Sequence, residues 1–264
     1  MEKRYLTPKE VAQATIKSGV AKANLKSSHM LILGVFAGMF IGFGAYGDII
    51  IMQTLKNIDV GLMKFFGALV FPVGLMLVVM AGAELFTGNN LMTLAVMDKK
   101  ITLKQMLKNW VLVYTGNFIG SVLLVFVLLK ANLFSESAAN LSISIAKAKM
   151  SLPMGVLFLR AILCNVIVVL SVWMATAAQD VVSKIFACWF PIMLFVLSGY
   201  EHSIANMFFI PMGKAFGLSM SWIDIFTVNL LPVTLGNIVG GGLIVPIAYY
   251  ICYVKKSKEE AKNI

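Results

Sequence analysis

The chain has 264 residues, 59% of them hydrophobic and only 13% charged, with a mean hydropathy of +0.88. A soluble globule of this size could not hide so much apolar surface from water, so lipid must be the main solvent of the chain. The net charge of +10 raises nucleic acid as a partner, but the basic residues flank apolar stretches instead of forming a basic and aromatic stripe. Membrane lipid, through its anionic headgroups, is the expected counter-charge, and no nucleic acid.

Taken in chain order, residues 1–28 hold no 7-residue apolar stretch before Lys26, so no cleavable signal is expected. Thr7-Pro8 reads as a helix start, with Thr as N-cap and Pro at the first helical position. Val11, Ile16 and Val20 follow among lysines, which predicts a short amphipathic helix on the cytoplasmic membrane surface; a solvated tail is the alternative. Beyond it, residues 27–47, 65–83, 109–129, 161–179, 185–200 and 225–254 contain no Asp, Glu, Lys or Arg. Ionisable groups at mid-bilayer are expensive, so these six gaps predict six transmembrane helices in a domain over 29–254, followed by a basic cytoplasmic tail at 255–264. On that topology the N-terminal segment, the loop 99–108, Lys184 and the tail hold 15 of the 22 basic residues. Both termini are therefore expected in the cytoplasm, and the protein in the cell's inner or plasma membrane. Cys164, Cys188 and Cys252 lie in apolar runs without CxxC spacing, and His29 and His202 are the two histidines. No disulfide framework, metal site or cofactor is expected.

Two of the gaps run on past a single acid: Glu84 is followed by an uncharged 85–97, and Glu201 by 202–213. A single helix over 65–97 would be roughly 50 Å long at about 1.5 Å per residue, against a hydrocarbon core of about 30 Å. The residues favour a break, because Gly82-Ala83-Glu84-Leu85-Phe86-Thr87-Gly88-Asn89-Asn90 and Ser198-Gly199-Tyr200-Glu201-His202-Ser203-Ile204-Ala205-Asn206 gather glycine and polar groups in apolar surroundings. Backbone freed there must line a cavity or be buried in protein. The halves also match in spacing: Pro72 and Pro191 are 119 apart, Glu84 and Glu201 117, and Gly116-Asn117 and Gly236-Asn237 120. With three spans per copy the second copy enters from the opposite face, so the fold class expected is an all-α integral membrane protein. Its six helices form an inverted 3+3 repeat with the second and fifth broken.

At these breaks the sequence resembles the formate-nitrite transporter family. Gly82 to Asn89, the Gly199-Tyr200-Glu201-His202-Ser203-Ile204-Ala205-Asn206-Met207 string, Asn229 to Asn237 and Ile162-Leu163-Cys164-Asn165 carry the resemblance, which spans nearly the whole chain. It implies a homopentamer whose protomers each hold a pore through an aquaporin-like fold, passing small monovalent anions of the formate, nitrite, hydrosulfide or lactate class. It also implies that Asn165 shares the anion site, that Lys149 stands at the outer mouth, and that Lys22 is its cytoplasmic partner. Phe71, Leu75, Leu85, Phe86, Val168 and Phe195 resemble the family's apolar constrictions, although such residues in membrane helices more often face lipid or core.

The residues themselves suggest roles. His202, an imidazole beside a break, can donate a hydrogen bond to an anion or exchange a proton with it. The Thr87 hydroxyl, near the start of the following half-helix, can hold a small anion or simply cap that helix. Glu84 and Glu201 would repel an anion as pore-facing carboxylates, so with Asn89 and Asn206 they are assigned to supporting the broken backbone; a proton relay is the alternative. Two other functions bear consideration. A neutral-solute channel is suggested by paired half-helices but disfavoured because neither break reads Asn-Pro-Ala, and an intramembrane enzyme lacks any nucleophile motif or metal cluster beside Glu201-His202.

Overall fold

The computed structural model describes residues 4–255. Nine residues of the tail expected at 255–264 therefore lie outside the described residues, as do residues 1–3. Helices α1 (Pro8–Ala23), α2 (Ser27–Met52), α3 (Val60–Gly82), α4 (86–97) and α5 (Leu103–Lys130) make up the first half. Helices α6 (Glu136–Met150), α7 (Met154–Ala177), α8 (Val181–Leu197), α9 (Ser203–Ala215) and α10 (Trp222–Lys255) make up the second. Strand pairing among the described residues is limited to an isolated bridge between Tyr5 and Ala178.

Helices α2, α3, α5, α7 and α10 are long and apolar enough to cross a membrane, while α8 is apolar but only 17 residues long. The chain is a multi-pass membrane protein. Helix α8 stops short because the chain leaves the helix at Gly199, where φ is +68°. Gly82 ends α3 in the same way, at φ +86°. A Cβ at either position would meet nothing within 4 Å, so glycine is required there by the left-handed backbone and not by space. Each end closes with a long return bond, Ala83 N–H to Val78 O at 3.0 Å and Tyr200 N–H to Phe195 O at 3.1 Å.

Two tight helix pairs frame the bundle. Helices α2 and α5 approach so closely that a Cβ on Gly120 would lie 1.9 Å from Val35 O, and a Cβ on Gly240 of α10 would lie 2.2 Å from Ile162 O of α7. Small residues let membrane helices gain packing where no hydrophobic drive is available between them.

Helix α1 starts at Pro8, and Glu10 Oε2 accepts from both Thr7 N–H (2.8 Å) and Thr7 Oγ1–H (2.7 Å), the reciprocal half of a capping box. Its apolar face, including Val11, Ala12, Ile16 and Ala23, is buried against α4 and α7. That face is spent on protein, where the sequence had suggested a lipid surface. The stretch 131–150, which carried no sequence motif, contains α6, with Ser135 Oγ accepting from Ala138 N–H at 3.1 Å. Helix α6 packs on α9 as α1 packs on α4.

Candidate functional site

Between α3 and α4, Ala83 (φ −146°, ψ 165°) and Leu85 (φ −104°, ψ 121°) are extended; between α8 and α9, His202 (φ −113°, ψ 117°) is extended. Peptide groups in such segments have no helical partners, and in a dry interior each would cost several kcal/mol. Asparagine side chains supply the partners. Asn117 Nδ2 donates to Glu84 O (2.9 Å) and Gly34 O (2.8 Å), and its Oδ1 accepts from Phe86 N–H (3.0 Å). Asn237 does the same at the other crossing, donating to Glu201 O (3.0 Å) and Ala161 O (2.8 Å) and accepting from Ser203 N–H (2.9 Å).

A second pair of networks holds the acids. Glu84 accepts from Lys22 Nζ (2.5 Å) and Asn89 Nδ2 (2.6 Å); Asn89 Nδ2 also reaches Asn109 Oδ1 (2.9 Å), whose amide donates to Lys22 O (3.3 Å). Glu201 accepts from Lys149 Nζ at 3.1 Å on both oxygens and from Asn206 Nδ2 (2.7 Å). Asn206 Nδ2 also reaches Asn229 Oδ1 (2.8 Å), whose amide donates to Lys149 O (3.0 Å). Each buried carboxylate is thus paired and hydrogen-bonded, so neither presents a bare negative charge to an arriving anion.

The two crossings meet at one contact, Thr87 Oγ1 to His202 Nε2, 2.8 Å apart with Thr87 wholly buried and His202 3% exposed. His202 Nδ1 accepts from Ala205 N–H at 3.1 Å. That nitrogen therefore carries no proton, and in the neutral ring Nε2–H donates to Thr87 Oγ1, which leaves the threonine hydroxyl hydrogen free for a guest. Asn165 Nδ2 ties this centre to the scaffold through Asn90 Oδ1 (2.8 Å), Asn237 O (2.7 Å) and, more loosely, Thr87 O (3.4 Å).

Two cavities approach the centre. One, of about 490 Å³, is walled by Lys22, Leu75, Glu84, Leu85 and residues of α1; the other, of about 220 Å³, by Asp48, Lys64, Phe71, Lys149, Phe195 and His202. In the second, the Phe71 and Phe195 rings meet edge to face at 5.6 Å, and Phe195 stacks on His202 at 5.8 Å. Phe86 and Val168, grouped with the constrictions by resemblance, line neither cavity. The ring of Phe86 meets Tyr114 (5.0 Å) and Trp110 (5.8 Å), and Val168 is buried in the core.

The formate/nitrite transporter family model matches residues 9–251. The chain belongs to that family. It is 38% identical to a formate channel of Bacillus thuringiensis, BtFdhC, over 94% of this chain and 96% of that one. Among solved structures, a formate/nitrite transporter family ion channel superposes with a TM-score of 0.84 at 29% identity, covering 92% of this chain and 98% of the other. A pentameric formate channel with formate bound superposes with a TM-score of 0.77 at 32% identity, covering 87% of this chain and 98% of the other.

Sequence reasoning gave no site role to several of the residues that build this centre in a formate/nitrite transporter. Asn117 had served only as a marker of the repeat, Asn237 as a marker of the repeat and with Asn229 a carrier of the family resemblance, and Asn109 had no role. A polar amide at mid-span in α5 and α10 was the available signal, because buried amides persist in membranes where they satisfy backbone.

Proposed function

We propose that the protein is a channel for small monovalent weak-acid anions, with formate the best supported and nitrite and hydrosulfide within the same chemistry. The observation that carries this reading is a pair of cavities, each with an ammonium group in its wall, one reaching Leu85 and Gly88 on either side of Thr87 and the other reaching His202, about the Thr87–His202 hydrogen bond. Relatives named as formate channels support it. The protomer is read as six spans in an inverted 3+3 repeat, the second and fifth interrupted at 83–85 and 198–202, with aquaporin-like paired half-helices. The duplicated hydrogen-bond networks favour that arrangement. The termini are assigned to the cytoplasm on the basic-residue bias, so the Lys22 cavity opens inward and the Lys149 cavity outward. A homopentamer is the proposed assembly, by analogy with the pentameric formate channel.

Moving a bare anion between Leu75 and Leu85, or past Phe71 and Phe195, is opposed by desolvation, ideally tens of kcal/mol at low dielectric. Lys22 and Lys149 gather the anion, the Thr87 hydroxyl donates to it, and His202 either sustains that hydrogen bond or, after taking a proton from vestibule water on Nδ1 in place of the Ala205 bond, passes one on from Nε2, so that a nearly neutral species crosses. Asn165 fixes the Thr87 backbone, and Glu84, Asn89, Glu201 and Asn206 hold the lysines and crossings in place.

Purified protein in liposomes should carry formate faster than chloride or lactate at a series of pH values, with nitrite and hydrosulfide compared in parallel. Water or glycerol permeability well above anion flux would overturn the reading. His202→Ala that kept both the wild-type flux and its pH dependence would remove the imidazole from the mechanism.

A further inference from the structure

The sequence treats Asp48 only as the residue that ends the first apolar run. In the structure α2 continues to Met52, so Asp48 sits inside the helix, 5% exposed, in the wall of the Lys149 cavity. Its Oδ1 has no hydrogen-bond partner. Space for the carboxyl is made by α3: a Cβ on Gly67 would lie 2.1 Å from Asp48 Oδ1. Oδ1 is itself buried against that glycine, so the carboxyl meets the cavity through its other oxygen, to which the protein supplies no hydrogen bond and which is the vacant position facing whatever enters.

The other titratable groups in that wall are Lys64 from α3, Lys149 from α6, and Tyr200, Glu201 and His202 from the crossing. Helix α9 contributes only Ala205 and Phe209, and α5 contributes nothing. His202 is neutral in the tautomer its hydrogen bonds require. With both carboxyls ionised, the two ammonium and two carboxylate groups balance. A proton on Asp48, taken from the water of the vestibule, leaves one net positive charge and converts an acceptor into an O–H donor.

We infer that Asp48, Lys64 and Lys149 form a proton-dependent oxyanion subsite in this vestibule, in which the protonated Asp48 carboxyl donates to a carboxylate-class anion held by the two ammonium groups. The inference rests on the anion-channel reading. Ionised, Asp48 offers the anion no donor and opposes it with like charge. Occupancy of the vestibule therefore follows pH independently of His202.

The test is the half-saturating formate concentration of wild type and Asp48→Asn in liposomes, over a pH series set equal on both sides. The amide keeps a donor and no charge at every pH. Between the acidic and alkaline ends, the wild-type value should rise about tenfold more than that of the variant, the size expected for one unit charge at partly screened range. A constant ratio between the two proteins overturns the subsite. Wild-type vesicles taking up no more formate than protein-free ones would instead overturn the channel reading itself. Infrared difference spectra of wild-type protein carrying ¹³C-labelled aspartate need no variant: formate should shift a labelled protonated-carboxyl band, and an unmoved band overturns the proposal.

Discussion

Thr87 is the acceptor that the tautomer of His202 requires, and its own hydrogen is then the only one that the pair can offer a guest. Thr87→Val should lower formate flux by about tenfold, roughly the worth of one hydrogen bond, whereas Thr87→Ser should stay within about twofold. Liposome uptake rates decide this. Lys149 is a different case, because its ammonium compensates Glu201, whose side chain is 4% exposed. Lys149→Ala should cost about 3–5 kcal/mol in unfolding stability, and Lys149→Met with Glu201→Gln much less, since a paired charge is expensive chiefly when its partner is removed. Thermal unfolding in detergent measures both. His202, Thr87 and the two acids were legible from sequence because charged or polar groups in a hydrophobic run are conspicuous. Asp48 was not, because an acid at the end of such a run looks like a boundary until the helix is seen to continue through it.

At the scale of elements, the breaks depend on two glycines and two asparagines. Gly82→Ala and Gly199→Ala should each destabilise by about 1–2 kcal/mol through the backbone alone, with Asn milder than Ala at both sites. Asn117→Leu and Asn237→Leu strand an amide N–H and a carbonyl each, and should cost roughly 2–5 kcal/mol, alike in the two halves. Denaturant midpoints in detergent would show unequal losses if the crossings were differently supported. The breaks themselves could be read from the clustering of Gly with polar residues after an overlong apolar run. Helix α6 could not, since Glu136 to Met150 mixes small, polar and apolar residues without the uninterrupted hydrophobicity that marks a span. Its position became intelligible only as the counterpart of α1, each bringing one lysine to one glutamate.

Across the molecule, the two cavities carry ammonium groups while the glutamates beside them, Glu84 and Glu201, are engaged. Formate flux at sub-saturating concentration should fall as ionic strength rises, because screening shortens the reach of those charges to about 8 Å in physiological salt; flux insensitive to added inert salt would argue against gathering at the mouths. The long apolar helices α2, α3, α5, α7 and α10 and their order were visible in the charge gaps, whereas the short α8 and the burial of α1 depended on packing that periodicity does not encode. The duplication is complete in the frame and incomplete in the chemistry. Shifting by the 117 residues that separate Glu84 from Glu201 places Leu85 opposite His202 and Thr87 opposite Ile204. Each half thus keeps the full skeleton and lends a single polar member, so the two approaches to the centre are unlike. The Lys22 cavity is walled by Leu75 and Leu85 and the Lys149 cavity by Phe71, Phe195 and the imidazole, so two frameworks alike in their hydrogen bonds open onto unlike surfaces.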